Sequence, residues 1–120
     1  MKIVFTTSGD DLTAPLDSRF GRAPKFLVYD LEGETFVVVD NQQNLNAAQG
    51  AGILSVETVA RLGATTLVTG HVGPKAFRAL QAAGFRIYTT AAPTVAAALE
   101  LCRAGKLPEL GAADVEGHWV

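Results

Sequence analysis

Two hydrophobic periods follow one another along this chain. In its first third, short runs of apolar and β-branched residues predict strands at residues 2–7, 25–31 and 35–40. The second and third runs are separated by Glu32-Gly33-Glu34, a glycine-containing connection that is typical of a β-hairpin. Residues 8–24 show no period and contain two prolines, so they are predicted to form a long loop. Long loops in compact domains are more often functional than idle.

From Ile53 onwards, apolar residues recur three and four positions apart, which is the period of an α-helix. Helices are predicted at residues 53–62, 74–84 and 93–105, each with a glycine at or just after its end. The apolar runs between the helices, residues 65–69 and 85–89, predict two short buried strands.

The predicted order of elements is therefore β-β-β-α-β-α-β-α. The first strand and the hairpin should pair antiparallel, whereas the later strand–helix–strand units require parallel pairing and right-handed crossovers. This predicts a mixed five-stranded sheet covered by helices, in a single α/β domain of residues 1–105. A polar connection at 41–52 joins the hairpin to the first helix. Residues 106–120 form a C-terminal tail, without a period from Glu109 onwards.

Composition narrows the class of protein. The 120 residues are 48% hydrophobic and 18% charged, which suits one ordered domain with its own core. A formal net charge of −2 argues against a general nucleic-acid binder. Neither an export signal nor an apolar stretch of the roughly 20 residues that span a bilayer is found, so a cytoplasmic protein without a membrane partner is expected.

Ligands of open α/β sheets bind beyond the carboxyl ends of parallel strands. Three loops should meet there: residues 7–24, 70–74 and 90–93. In the second loop, Gly70 and Gly73 would permit close backbone approach, and the following helix would offer N–H groups to an anion. The same glycines suit any strand-to-helix turn, so a purely structural role stays open. His71 could offer an imidazole nitrogen to a metal, or could be an exposed loop histidine.

The first loop carries three cations within seven residues, Arg19, Arg22 and Lys25, on an otherwise acidic chain. Arginine presents a planar fork of donors that suits oxyanions and sulfide-edged anions. A merely solvated loop is the alternative interpretation. Phe20 argues against it, since an aromatic side chain there would anchor the loop to the core.

Other candidate chemistry is weaker. Cys102, the only cysteine, excludes an intramolecular disulfide and Cys-rich metal frameworks, and it shares the apolar stripe of the last helix, so a buried, inert residue is expected. His118, beside Trp119, is expected to be solvated. Carboxylates follow the first three strands, but none follows the fourth, so a two-metal nuclease is disfavoured. A serine or cysteine hydrolase lacks its nucleophile pattern.

The chain resembles a known family in four segments. These are the opening Met-Lys-Ile-Val-Phe-Thr-Thr-Ser-Gly, residues 16–30, residues 44–52, and residues 68–76 leading to Leu80 and Gly84. The most specific pieces are Phe20-Gly21-Arg22-Ala23 with a following phenylalanine, and the Gly-x-x-Gly-Pro turn. Over residues 1–105 the sequence is similar to the dinitrogenase iron–molybdenum cofactor biosynthesis family, particularly to its single-domain members of the orange-protein type.

That resemblance implies a ribonuclease H-like fold and a non-enzymatic carrier of an anionic metal–sulfur cluster, of the Mo–Cu–S or Fe–Mo–S type. The implied partners are the cluster and a protein that donates or accepts it. The residues expected to hold the cluster, mainly non-covalently, are Arg19, Phe20, Gly21, Arg22, Lys25, Gly70, His71 and Gly73, with His71 the metal-ligand candidate. Many nitrogenase-accessory members carry a histidine where this sequence has Arg19, which favours electrostatic holding. A regulatory or interaction module of the same fold, without a cluster, is the alternative.

Overall fold

A five-stranded mixed sheet forms the centre of the structure, a computed structural model that describes residues 1–41 and 51–111. The strands, in chain order, are β1 (Lys2–Thr7), β2 (Lys25–Asp30), β3 (Thr35–Asp40), β4 (Thr66–Thr69) and β5 (Arg86–Thr89). Their order in the sheet is β3-β2-β1-β4-β5. Strands β1, β4 and β5 run parallel, and β2 and β3 form the antiparallel hairpin beside β1. The predicted ribonuclease H-like arrangement is confirmed.

Three helices cover the sheet in the described residues: α1 (Ala51–Ala60), α2 (Pro74–Ala82) and α3 (Val95–Arg103). Pro74 stands in the first turn of α2, where its missing N–H costs nothing. The Thr94 hydroxyl accepts a hydrogen bond from the N–H of Ala97 and so caps α3. Gly63, Gly84 and Gly105 follow the three helices with positive φ, as the predicted helix ends require. No helix in residues 1–41 or 51–111 is both long and apolar enough to cross a membrane.

Side chains that alternate along the strands divide the core into two layers. On one face, Val4, Phe26 and Leu67 pack against α1 and α2. On the other face, Phe5 and Val68 pack against α3. Both faces of β1, β2 and β4 are therefore buried. This explains why the sequences of these strands are continuous apolar runs rather than an alternation of apolar and polar residues.

The segment that follows α3 departs from the prediction. Glu109 forms a bridge with Tyr88 of β5, and the N–H of Leu110 donates to the carbonyl of Ile87 at 2.7 Å. The expectation of a loose tail from Glu109 is thus wrong for Glu109 and Leu110. Nothing in the sequence indicated this pairing, since two residues are too few to show a period. Residues 112–120, with His118, and the connection at 42–50 lie outside the described residues.

Candidate functional site

Three loops meet at the carboxyl ends of β1, β4 and β5, as predicted. They enclose a cleft of about 390 Å³. Its walls come from residues 16–18 of the first loop, Gly70 and His71 of the second, and residues 89–92 of the third. The complete lining is Leu16, Ser18, Gly70, His71, Thr89, Thr90, Ala91 and Ala92.

Buried threonines fix the first loop to the strands beneath it. The Thr6 hydroxyl donates to the carbonyl of Asp17 at 2.7 Å and lies 2.8 Å from the hydroxyl of Thr69. The neighbouring Thr7 hydroxyl donates to the carbonyl of Pro15 at 2.8 Å. All three threonines are fully buried. Sequence reasoning missed them, although hydroxyl residues at the ends of two adjacent buried strands were the available signal.

Gly70 lets the first and second loops touch. A Cβ atom at this position would lie 2.6 Å from both the Cα and the carbonyl oxygen of Ser18, which no side chain tolerates. Just beyond, Arg19 and His71 pair as a parallel bridge, and the N–H of Phe20 donates to the carbonyl of His71 at 3.2 Å. The structural role that the sequence left open for Gly70 is therefore real, and it builds one wall of the cleft.

The third loop is tied to the first through the start of α3. The N–H of Leu16 donates to the carbonyl of Pro93 at 3.2 Å, and the N–H of Val95 donates to the carbonyl of Ala14 at 3.0 Å. The cleft is thus held by hydrogen bonds on each side before any ligand arrives, which lowers the ordering cost of binding.

The two helix N-termini at this end of the sheet differ in what they offer. At α3, the first N–H groups bond to Ala14, to Leu12 and to the Thr94 hydroxyl. At α2, Gly73 is the N-cap and has no side chain to cap with. Within the residues that the structure describes, the N–H groups of Lys75 and Ala76 meet no acceptor. The α2 terminus, two residues beyond His71, therefore retains the donors and the dipole that favour an anion.

The three predicted cations separate into two kinds. Arg19 and Arg22 are exposed, and neither forms an ion pair within residues 1–41 and 51–111. Lys25 instead pairs with the carboxylate of Asp10 and keeps only 27% of its side chain exposed. Of the three cations, only Arg19 and Arg22 therefore lack an ion-pair partner among the described residues.

Phe20 and Gly21 belong to a short 3-10 turn, Phe20–Arg22, that the sequence did not predict. Phe20 is 1% exposed and packs on Phe26 with 5.9 Å between ring centroids. The expected anchoring of the loop to the core is present. The Phe20 ring lies in the core and is not among the residues that line the cleft. The turn that Phe20 anchors has Arg19 as its N-cap and Arg22 as its last residue.

Metal-ligand side chains are sparse. His71 is exposed at the cleft wall. Within the described part of the chain, no group of three or more His, Cys, Asp or Glu side chains could hold a metal ion. A site built from several protein ligands therefore does not fit these residues, and His71 can supply at most one ligand there.

Cys102 lies far from the cleft, on α3. It is half-buried against the core rather than fully buried as predicted, because its position on the helix faces the margin of the sheet. It lines a second cavity of about 460 Å³ with Met1, Tyr88 and Leu107. Burial raises the pKa of the Cys102 thiol, so the neutral, poorly nucleophilic form is favoured.

The fold and this cleft define a small ribonuclease H-like α/β domain with an anion-compatible site between the loop that follows β1 and the loop that follows β4. Residues 1–105 match the family described as dinitrogenase iron-molybdenum cofactor, and the chain belongs to that family. It is 37% identical to an orange protein from Desulfovibrio gigas, whose apo form superposes with a TM-score of 0.92 over 95% of this chain and 96% of that one.

Two further relatives agree with this placement. A NifB-like protein of the DUF35 family from Thermotoga is 33% identical, with a TM-score of 0.80 over 91% of this chain and 92% of that one. An uncharacterised protein of Methanocaldococcus jannaschii is 25% identical over 77% of this chain and 80% of its own length. The relationship therefore extends over most of the domain.

Proposed function

We propose that this protein is a non-enzymatic carrier of an anionic, molybdenum-containing metal–sulfur cluster, of the Mo–Cu–S or Fe–Mo–S type. The cluster is its cargo, held in the cleft between residues 16–22 and the Gly70–His71 wall. The observation that carries the proposal is a pair of exposed arginines, without ion pairs in the described residues, on a loop fixed to the cleft wall through the Arg19–His71 bridge.

The donor set suits an anion that brings its own sulfide ligands. A conventional iron–sulfur cluster takes several cysteine thiolates, whereas this chain has one cysteine, remote from the cleft. Guanidinium groups and backbone N–H groups can instead hold a sulfide-edged anion by charge and hydrogen bonding. The Arg19 and Arg22 side chains and the α2 N-terminus after Gly73 provide such groups, and Ser18 and Thr90 add hydroxyls at the lining.

The family relationship supports the same cargo. The family takes its name from the iron–molybdenum cofactor, and the orange protein was solved in an apo form. A carrier must also release what it binds. Exposed arginines serve this need, because partly solvated charge contacts are weaker and more easily exchanged than direct coordination bonds. We expect transfer to or from a cluster-handling protein in the cytoplasm.

Reconstitution tests the proposal. Apo-protein is mixed anaerobically with tetrathiomolybdate and Cu(I), or with iron, molybdate and sulfide, and is then desalted. The proposal predicts a coloured protein in which molybdenum co-elutes with the polypeptide at a fixed ratio. A colourless, metal-free protein under both conditions would contradict it and would favour an interaction module of the same fold.

A further inference from the structure

The two edge strands of the sheet differ in whether another segment covers them. The β5 edge is covered, because Leu110 donates to the Ile87 carbonyl and Glu109 lies 3.2 Å from Arg86. The opposite edge is β3, which among the described residues pairs with β2 on one side only. Natural proteins usually protect such an edge with lysine, proline, a bulge or a short strand. β3 is six residues long, and from Thr35 to Val39 it contains no charge and no proline.

The outward-facing backbone groups of β3 follow from the register. Asn41 donates its N–H to the carbonyl of Pro24 at 2.8 Å, which marks these residues as a hydrogen-bonded pair of the β2–β3 ladder. Such pairs alternate in an antiparallel ladder, so Val39 and Val37 also direct their backbone groups toward β2. Phe36 and Val38 direct theirs away. No acceptor or donor meets them in the described ranges 1–41 and 51–111.

The side chains of this edge are also apolar and exposed. Phe36 is 36% exposed and Val37 is 60% exposed, the highest value among the large hydrophobic side chains of the described residues. Phenylalanine and valine are favoured in paired strands, where each packs against a cross-strand neighbour. In the part of the chain that the structure describes, β3 has such neighbours on its β2 side only.

We propose that β3 is the interface of a homodimer, in which two copies of β3 pair antiparallel about a two-fold axis at Val37. In this register Phe36 and the partner's Val38 exchange backbone hydrogen bonds, and each Val37 faces the partner's Val37. The two sheets then join into one continuous sheet. The proposal is independent of the cluster-binding proposal.

Self-complementarity favours a second copy over an unrelated strand. Since the outward-facing residues Phe36 and Val38 are two positions apart, the two-fold axis brings each opposite the other. Over residues 35–39 no like charges meet. At each end, Glu34 lies near the partner's Asp40. Arg103 lies 3.8 Å from Glu34 and partly balances the negative charge of these two carboxylates. β3 runs in the direction of β1, so the two clefts open at opposite ends of the dimer and stay accessible.

Sedimentation velocity over a wide concentration range tests the interface. Wild type should show a monomer–dimer equilibrium. Val37→Lys places two like charges opposite each other and should raise the dimer Kd by roughly a hundredfold. Because Val37 is exposed, circular dichroism should show an unchanged fold. Ala82→Lys adds the same charge to an exposed position on α2 and should dimerise like wild type. A wild type that stays monomeric up to millimolar concentration, or a dimer indifferent to Val37→Lys, overturns the proposal.

Disulfide trapping tests the register. In a Cys102→Ala background, Val37→Cys should form an intermolecular disulfide readily, since directly opposed residues of a non-hydrogen-bonded pair lie about 4.5 Å apart between Cα atoms. Thr35→Cys is the control. Its two copies would lie about 13 Å apart, four residues out of register, and should not cross-link. Equal trapping at both positions contradicts the proposed pairing.

Discussion

At the scale of single residues, Gly70 permits the contact on which one cleft wall depends. Its missing Cβ leaves room for the backbone of Ser18, which in turn places Arg19 beside His71. The sequence indicated that Gly70 was special, but not whether a ligand or the protein itself required the space. Only the fold brings the Ser18 backbone to it, because the two residues are more than fifty positions apart.

Gly70→Ala should therefore separate the two loops. We expect a loss of about 1–3 kcal/mol of unfolding free energy, the usual cost of overpacking, and weaker cluster uptake. Gly111→Ala is the matched control, since no atom of the described residues lies within 4 Å of its Cβ position. Urea denaturation of both variants measures the effect. A Gly70→Ala protein as stable as Gly111→Ala would show that the loops can part without cost.

Cys102 contrasts with Gly70, because it is a residue of a reactive type whose role is packing. Cys102→Ala should cost about 1 kcal/mol of unfolding free energy and leave cluster uptake unchanged. Loss of bound metal at unchanged stability would contradict this role.

The raised pKa of the Cys102 thiol has its own consequence for pH dependence. The thiolate is the form that reacts with iodoacetamide, so alkylation of the native protein should begin at a higher pH than alkylation of the urea-unfolded chain. The unfolded chain also loses this proton first as pH rises. The contribution of Cys102 to stability should accordingly fall through the alkaline range. Identical alkylation profiles in the two states would refute the shift.

At the scale of elements, the sequence predicts the strands and helices well because each carries its own period and its own end signal. Pro74, Gly84 and Gly105 mark helix boundaries that the structure retains. The first loop carries no such signal. Its shape comes from long-range bonds, Thr6 to Asp17 and Phe20 to His71, and from the burial of Phe20 against Phe26. Such contacts are set by the tertiary fold rather than by local pattern.

Substitution of Thr6 is the strongest test of the long-range hydrogen bonds that fix the first loop. Thr6→Val keeps the side-chain shape but leaves the Asp17 carbonyl and the Thr69 hydroxyl without this partner. It should cost about 1–3 kcal/mol of unfolding free energy. Thr69→Val combined with Thr6→Val should cost less than the sum of the two single variants, since both hydroxyls share one hydrogen bond. Thr65→Val, at an exposed side chain, should change stability little; an equal loss there would remove the special role of Thr6.

At the scale of the whole molecule, the net charge is −2, yet Arg19 and Arg22 lie at one end of the sheet without an ion pair in the described residues. The sequence places three cations in one loop, and only the structure separates Lys25, which pairs with Asp10, from the two arginines. Asp10 follows β1 and reaches Lys25 only because β1 and β2 pair in register. We therefore propose that Arg19 and Arg22, assisted by the N-terminus of α2, balance the negative charge of the cargo.

The most direct measurement is a titration of apo-protein with a preformed anionic metal–sulfide cluster at low and at high salt. Exposed charge contacts are screened within about 8–10 Å at moderate ionic strength, so the affinity of wild type should fall as salt rises. Arg19→Ala with Arg22→Ala should weaken binding and flatten the salt dependence. Arg61→Ala with Lys106→Ala removes two exposed cations after α1 and α3, at the far end of the sheet, and should bind nearly as wild type does.

His71→Ala decides between the two modes of holding the cluster. We predict that it weakens binding less than the double arginine variant does, because His71 offers one imidazole where the arginines supply the charge. Binding that is insensitive to salt, unaffected by loss of both arginines and abolished by His71→Ala alone would mean direct metal coordination and would contradict the electrostatic account.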